Sequence, residues 1–377
     1  MNNYAQDIRP FRGLLKHEYE KVVSCWAPFQ ALHIDKKGEC GPCPFSFQAD
    51  TVQEQTPDEM QWSSTNSLLD IWKCSTLETM RGKHFEGNID SIACKYCSDS
   101  RDAGKPPSSL DFDWVGGKLK LDHAYPQEIE LELSNKCNYM CFACSPWCSS
   151  KHMENMGLQN DERYQSIFDD PKIIKAFVKD LRSIIHHMYR LNFTGGEPFA
   201  QRPVYEILKM IDEENPKDLN IHFTTNGSVM NGMVKKLAAR PNTHFTISLD
   251  SIDPIKYPTI RVNGVYNNVM SNIDTIQSLC TGIIGCSFVI QRDNVFDLPK
   301  IVSWCNKKGI EFTYHIMSSM GGPDDWERIK DICVEIETPE YLNNLREYLL
   351  SAKILNKDNR LSEKNIDMYY QYIERIK

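Results

Sequence analysis

The sequence predicts an α/β protein built on a parallel sheet with crossover helices, open or curved into a partial barrel. Two observations predict this sheet, and a third separates the N-terminal part of the chain from it. Strand-like and helix-like runs alternate after residue 127, which is the pattern of a parallel sheet with crossover helices. The last strand-like runs are short and rich in β-branched and aromatic residues, as buried strands are. Residues 23–100 instead carry six cysteines and no long periodic helix, so they form a separate small module.

Length, charge and cysteine usage limit the class of protein. A chain of 377 residues allows two domains, or one barrel with an appended module. Its net charge of −8 argues against broad binding to nucleic acid or to an anionic membrane. We see no signal peptide and no apolar run near the roughly 18 residues that a spanning helix needs, so we expect a cytoplasmic protein. In that reducing compartment, the clustered members of the 14 cysteines indicate metal ligands rather than disulfides.

Composition divides the chain into segments. We expect an N-terminal lead-in (1–22), the cysteine-rich module (23–100), a Gly- and Pro-rich linker (101–126), the α/β core (127–320) and a mostly helical C-terminal segment (321–377).

Apolar spacing places the individual elements. Within the module it predicts one helix, Ser67–Gly82. The predicted core strands are Glu128–Leu133, Arg190–Thr194, Asn220–Thr225, His244–Leu249, Ile283–Ile290 and Glu311–Ile316. The predicted core helices are Lys172–Met188, Pro203–Glu213, Gly232–Ala239, Tyr266–Leu279 and Leu298–Lys308.

The first core strand leads directly into three cysteines with the spacing C-x3-C-x2-C, namely Cys137, Cys141 and Cys144. Clustered thiolates suit an iron–sulfur cluster or zinc. A structural zinc site is closed by four ligands, whereas three ligands from one loop leave a metal position open for chemistry. The alternative interpretation is a zinc knuckle with Cys148 as the fourth ligand.

The following strand ends also carry glycine or polar residues. Paired glycines allow the backbone to approach a ligand closely, carboxylates and carbonyls can bind an ammonium, and an arginine can clamp a carboxylate. Each group alone is typical of a turn or a helix cap, but their recurrence at strand ends favours a ligand site. The residues are Gly195, Gly196, Glu197, Pro198, Asn226, Ser248, Asp250 and Arg261.

Together these motifs resemble the radical S-adenosylmethionine (radical SAM) superfamily over about residues 127–320. The resemblance implies a partial (β/α)6 TIM-like barrel in which the three cysteines of the loop hold a [4Fe-4S] cluster. S-adenosylmethionine (SAM) would bind the open iron through its amino and carboxylate groups.

The same resemblance implies roles for the strand-end residues. The Gly195–Pro198 segment would contact the SAM ammonium, and Ser248 and Arg261 its carboxylate or ribose. Asn226 and Asp250 are the weaker matches. One position departs from the family pattern, because Ala143 stands where the family often has an aromatic residue near the adenine.

The N-terminal cysteines resemble a SPASM/twitch module, which accompanies many radical SAM enzymes. The resemblance lies in Cys25-x12-Gly38-x4-Cys43, a Trp-containing helix and Cys94-x2-Cys97. It implies one auxiliary [4Fe-4S] cluster on Cys25, Cys43, Cys94 and Cys97, in a module that here precedes the barrel. Cys40 would be a bystander or a swap for Cys43. A structural zinc on two C-x2-C pairs is the alternative.

The resemblance implies a radical SAM oxidoreductase. SAM would be cleaved reductively to a 5′-deoxyadenosyl radical that abstracts a substrate hydrogen, and the auxiliary cluster would handle the substrate electron. We expect a peptide substrate, or alternatively a small alcohol or aminocyclitol. A reductase, a ferredoxin or a flavodoxin would donate the electron. A non-catalytic zinc-binding protein is the alternative from a different class. The sequence assigns no catalytic acid or base.

Overall fold

The computed structural model of the chain describes residues 25–46, 56–86, 88, 94–95, 97–98 and 124–316. The predicted lead-in, the C-terminal segment from 321 and the linker up to residue 123 lie outside these residues. The described chain is a mixed α/β fold with a mostly parallel sheet of eight strands, which confirms the predicted fold class. No helix of this part of the chain is long and apolar enough to cross a membrane.

The predicted core elements are confirmed, with ends shifted by at most a few residues. The strands are β1 Ala31–Ile34, β2 Cys40–Gly41, β3 Glu128–Leu131, β4 Met140–Cys141, β5 Arg190–Phe193, β6 Asn220–Thr225, β7 Thr243–Ser248, β8 Arg261–Val262, β9 Ile284–Ile290 and β10 Glu311–Ile316. The helices are α1 Ala27–Gln30, α2 Leu68–Trp72, α3 Ser75–Phe85, α4 Ser150–Asn155, α5 Pro171–Ile184, α6 Arg202–Glu214, α7 Gly232–Ala238, α8 Tyr257–Ile260, α9 Tyr266–Leu279 and α10 Leu298–Lys308.

The chain divides into two compact units, and the predicted domain boundaries stay predictions. The first unit comprises the described parts of 1–134, 166–192 and 202–219. Its strands have the order β5-β3-β1-β2, with β1 parallel to β3 and antiparallel to β2. Helices α5 and α6 pack together, and the rings of Trp62, Phe168 and Phe177 contact one another in the core.

Two details of the first unit differ from the predictions. Strand β1 was not predicted, because its short apolar run has no clear strand pattern of its own. It forms a strand by pairing with β3, which lies far along the chain. The predicted single helix Ser67–Gly82 is wrong, since it is two helices. Cys74 adopts an extended conformation (φ −68°, ψ 160°) at the N-cap position of α3, so the first helix ends before it.

The second unit comprises the described parts of 135–165, 193–201 and 220–377. Its main strands have the order β10-β9-β7-β6 and run parallel. Stacked rings of Phe193, Phe223 and Phe245 fill the core beside them. Since the strands are parallel, their carboxyl ends meet at one edge, where ligands bind in such sheets.

Candidate functional site

The cysteine loop is held by backbone hydrogen bonds within the second unit. Met140 and Cys141 form β4, which pairs antiparallel with β8 so that Cys141 lies opposite Arg261. The Phe142 N–H donates to the Ile260 carbonyl (3.1 Å) and the Cys144 N–H to the Cys141 carbonyl (3.0 Å). The thiols therefore project from a fixed backbone.

Of the three cysteines of this loop, Cys141 is buried, and Cys137 and Cys144 are half-buried. Contact with the Cys144 thiol, together with burial, raises the pKa of Cys141 well above its usual range. Burial raises the pKa of Cys137 to about 11, and the charge of Cys141 adds to that increase. Neutral thiols held together in this way become thiolates when a metal centre compensates their charge.

The chemistry of the three thiols suits an iron–sulfur cluster or zinc. Among the described residues, no group of three or more Cys, His, Asp or Glu side chains is already arranged to hold a metal ion. A [4Fe-4S] cluster binds each thiolate through a different iron, so three thiolates leave one iron open. The donor set fits the predicted cluster in kind and number, and the zinc knuckle through Cys148 stays the alternative prediction.

The glycine pair lies directly against the residue that precedes the cysteine loop. Gly196 has φ +29°, and a Cβ there would stand 2.3 Å from the Lys136 carbonyl oxygen. The Glu197 N–H donates to the same carbonyl (2.8 Å). Gly195 also has a positive φ of 70°. Only glycine permits this approach without strain, so the segment and the cysteine loop form one structural piece.

Glu197 is fully buried and accepts hydrogen bonds from residues at the end of β6. Its carboxylate accepts hydrogen bonds from the Asn226 N–H (2.7 Å), the Thr225 hydroxyl (2.8 Å) and the Phe199 N–H (3.2 Å). Burial raises its pKa. An ammonium bound here would therefore meet a carboxylate that already accepts three protein donors. Pro198, also buried, begins the 3-10 turn that follows.

Asn226 and its neighbours connect the β6 end to the cysteine loop. The Asn226 Nδ2 donates to the Asn138 Oδ1 (2.9 Å) and lies 4.0 Å from the Cys137 Sγ. The Ser228 N–H donates back to the Asn226 Oδ1 (2.9 Å). The predicted site residue Asn226 thus lies beside the first cysteine.

Asp250 and Arg261 form a buried ion pair, with the Arg261 Nε 2.9 Å from the Asp250 Oδ2. The Val289 N–H donates to the other carboxylate oxygen (2.8 Å). Burial alone would lower the pKa of Arg261, but the negative charges of Asp250 and Cys141 raise it above its usual range. Arg261 is therefore charged, and its guanidinium already forms an ion pair with Asp250. Ser248 is half-buried at the last position of β7.

In the first unit, Cys94 and Cys97 lie near enough to Cys25 and Cys43 to affect the pKa values of those two thiols. Burial, followed by the charges of Cys43, Cys94 and Cys97, raises the pKa of Cys25. Burial likewise raises the pKa of Cys43 to about 12, with contributions from Cys94 and Cys97. Cys40 lies in a different environment, because burial, Asp35 and Cys74 raise its pKa.

Several neighbours of the cysteines were missed from the sequence. The His84 Nε2 lies 3.3 Å from the Cys94 Sγ, and the Ser46 Oγ lies 3.2 Å from the Cys43 Sγ. The His152 Nε2 lies 2.6 Å from the Cys141 carbonyl oxygen. No motif marks these residues. Only the position of His152 on the helix directly after the cysteine loop offered a signal.

Comparisons with known proteins relate part of the chain to a known superfamily. Residues 131–305 match the sequence profile of the Radical SAM superfamily. A probable GTP 3′,8-cyclase from Methanocaldococcus jannaschii is 25% identical over 240 residues, covering 60% of this chain and 74% of that protein. The GTP 3′,8-cyclase of Nautilia profundicola is 24% identical over 186 residues, covering 49% of this chain and 54% of that protein.

Solved structures are also similar to this chain, at lower sequence identity. Streptococcus suis SuiB bound to S-adenosylmethionine has a TM-score of 0.45 and 16% identity, and the match covers 72% of this chain and 62% of SuiB. SuiB bound to the precursor peptide SuiA has a TM-score of 0.43 and 13% identity, with 80% of this chain and 54% of that chain covered.

Fold and site together define an α/β domain with a cysteine loop and a glycine segment at the carboxyl ends of parallel strands. The matched profile gives the particular superfamily: residues 131–305 are a radical SAM domain, which is the domain of a radical SAM enzyme. A radical SAM domain implies a [4Fe-4S] cluster and SAM as cofactors.

Proposed function

We propose that this protein is a radical SAM oxidoreductase with two clusters. Cys137, Cys141 and Cys144 would hold the first [4Fe-4S] cluster, and the Gly195–Pro198 segment with Ser248 and Arg261 would position SAM. When bound, this cluster and SAM supply one-electron cleavage to a 5′-deoxyadenosyl radical, which takes a hydrogen atom from the substrate.

The observation that carries the proposal is the contact at Lys136. Its carbonyl oxygen accepts the Glu197 N–H and leaves no room for a Cβ on Gly196. The backbone of the cysteine loop and the backbone of the glycine segment are therefore held next to each other. A cofactor that contacts both the open iron and the glycine segment requires these two segments to be held at a fixed distance from each other.

For the first unit, we propose an auxiliary [4Fe-4S] cluster on Cys25, Cys43, Cys94 and Cys97. The effect of Cys94 and Cys97 on the pKa values of both Cys25 and Cys43 supports it, because it requires the thiols to be close. Loss of one hydrogen atom, then of one electron and one proton, oxidises a substrate by two electrons. The auxiliary cluster would accept that electron, and a reductase, ferredoxin or flavodoxin would reduce the first cluster. The expected cytoplasmic location stays a prediction.

For the substrate we propose a peptide, with a small alcohol or aminocyclitol as the second candidate. The relatives named GTP 3′,8-cyclase raise a third candidate, a nucleoside triphosphate.

Metal and sulfide analysis of anaerobically purified protein tests the proposal. We expect about eight irons and eight sulfides per chain, from two [4Fe-4S] clusters. Zinc without sulfide would instead support the non-catalytic zinc-binding alternative and would overturn the enzyme proposed here.

A further inference from the structure

Residues 149–152, shortly after the cysteine loop, include three buried polar side chains. Ser149 is fully buried, and Ser150 and His152 are nearly so. Ser149 stands at the N-cap position of α4, but its side chain makes no capping hydrogen bond to that helix. Buried polar side chains are normally hydrogen-bonded, so the partners of these three side chains indicate what they do.

Both serine hydroxyls bind the backbone of the cysteine loop. The Ser149 Oγ donates to the Tyr139 carbonyl oxygen (2.7 Å). The Ser150 Oγ donates to the Cys137 carbonyl oxygen (3.2 Å) and accepts from the Cys137 N–H (3.2 Å). The two serines therefore hold the peptide groups on both sides of the first cysteine and the carbonyl two residues further on.

His152 holds the carbonyl of the central cysteine in the same way. Its Nε2 lies 2.6 Å from the Cys141 carbonyl oxygen. A carbonyl oxygen can only accept a hydrogen bond, so the Nε2 carries the hydrogen and donates it. Segment 149–152 thus binds the carbonyl oxygens of three alternate loop residues, at positions 137, 139 and 141.

These hydrogen bonds separate the two ends of the loop's peptide groups. The Tyr139 N–H donates to the Cys137 Sγ (3.4 Å), whereas the Tyr139 carbonyl binds Ser149. A metal-bound sulfur is negatively charged, so a nearby N–H stabilises it and a nearby carbonyl oxygen repels it. A carbonyl oxygen that is bound to segment 149–152 is not free to turn toward the thiolates.

We propose that Ser149, Ser150 and His152 are positioning residues of the SAM-cleaving site, which set the reduction potential of its cluster by holding these three carbonyls. The proposal rests on the proposed function, because it takes the three cysteines of the loop as the ligands of the first cluster. Reduction adds an electron to a group that is already negative. Carbonyl oxygens released toward the thiolates would therefore make the cluster harder to reduce.

A redox titration of the anaerobically reconstituted full-length protein, followed by electron paramagnetic resonance (EPR), tests the proposal. Because SAM binds only one of the two clusters, the EPR signal that SAM changes reports the first cluster alone. His152→Leu removes the donor to Cys141. We expect about tenfold less reduced cluster at a given potential, which is a shift of about 59 mV to lower potential.

His152→Gln is the conservative variant, because its amide N–H can donate from nearly the same position as the histidine Nε2. It should return the potential to the wild-type value. Ser149→Ala removes one hydroxyl from the same segment and should also lower the potential, so the test does not depend on the folding of His152→Leu. The control is His186→Leu, which changes an exposed histidine that pairs with Glu214 and should keep the wild-type potential.

The proposal is overturned if His152→Leu and Ser149→Ala both keep the wild-type potential, or if His152→Gln shifts the potential as far as His152→Leu does. The wild-type protein reports the proposed function separately. A wild type with no SAM-sensitive EPR signal overturns the assignment of the first cluster. A wild type with that signal, together with unshifted variants, overturns only the role of segment 149–152.

Discussion

The Nη1 of Arg261 lies 3.7 Å from the Sγ of Cys141, and the two residues also face each other across the β4–β8 ladder. The same guanidinium contacts Asp250 at 2.9 Å. A buried charge pair therefore fixes the position of the central cysteine of the loop. Loss of this pair should affect both the stability of the fold and the site.

Arg261→Met should destabilise the protein by about 3–5 kcal/mol, because it leaves the buried Asp250 carboxylate without its partner. Urea unfolding under anaerobic conditions measures this change. The additional substitution Asp250→Asn should restore part of the loss. Arg182→Met, which breaks half-exposed pairs with Glu213 and Glu214, should cost less than about 1 kcal/mol. Equal losses for the two arginine variants would contradict the account.

Gly196→Ala should lower the unfolding free energy by at least about 2 kcal/mol and reduce the iron content, because of the positive φ and the contact with the Lys136 carbonyl. Denaturant unfolding and iron analysis measure both effects. Gly82→Ala is the control, since no atom lies within 4 Å of its added Cβ. Because Gly82 lies in the interior of α3, this substitution should increase the free energy of unfolding by up to about 1 kcal/mol. A stable, iron-replete Gly196→Ala protein would show that the close approach is unimportant.

The auxiliary ligand set predicts unequal effects of the N-terminal cysteines. Replacing both Cys94 and Cys97 by serine should reduce iron from about eight to about four atoms per chain. Cys40→Ala should leave the iron content unchanged, because the thiol of Cys40 lies with Cys74 and Asp35. Iron analysis after anaerobic reconstitution distinguishes the variants. If Cys40→Ala loses as much iron as the double variant, Cys40 is a ligand and the assignment is wrong.

Asp35 should make stability depend on pH. Burial raises its pKa to about 6, from an ordinary value of 3.8. The folded state therefore holds the proton more tightly than the unfolded state, and stability should fall as pH rises from about 4 to about 6, by up to about 3 kcal/mol. Asp35→Asn keeps an acceptor for the N–H groups of Lys37 and Glu39 and should lack this slope. Unfolding is measured for both proteins at pH 4, 5, 6 and 7. If the free energy of unfolding changes with pH in the same way for both, the prediction is contradicted.

The core could be predicted because its signals are local. Strands β6 and β9 carry β-branched and aromatic residues, and the helices between strands show clear apolar spacing, so periodicity alone located them. The cysteine loop and the glycine segment were also predictable, because each keeps a fixed spacing at the end of a predicted strand.

What the sequence could not predict depends on distant partners. The identity of β1 as a strand comes from pairing with β3. The ion pair of Arg261 with Asp250 depends on which strand ends lie close together in the fold. The hydrogen bonds of Glu197 to the end of β6 depend on the same arrangement. The break at Cys74 reflects a cap conformation that apolar spacing does not encode.

Cleavage of SAM under dithionite tests the central claim most directly. Wild-type protein and the control Cys280→Ala, which changes a cysteine after α9, should both form 5′-deoxyadenosine and methionine. Cys141→Ala should form neither, because the cluster loses a ligand and the contact with Arg261. If cleavage persists in Cys141→Ala, the cysteine loop is not the SAM-cleaving site and the account is wrong.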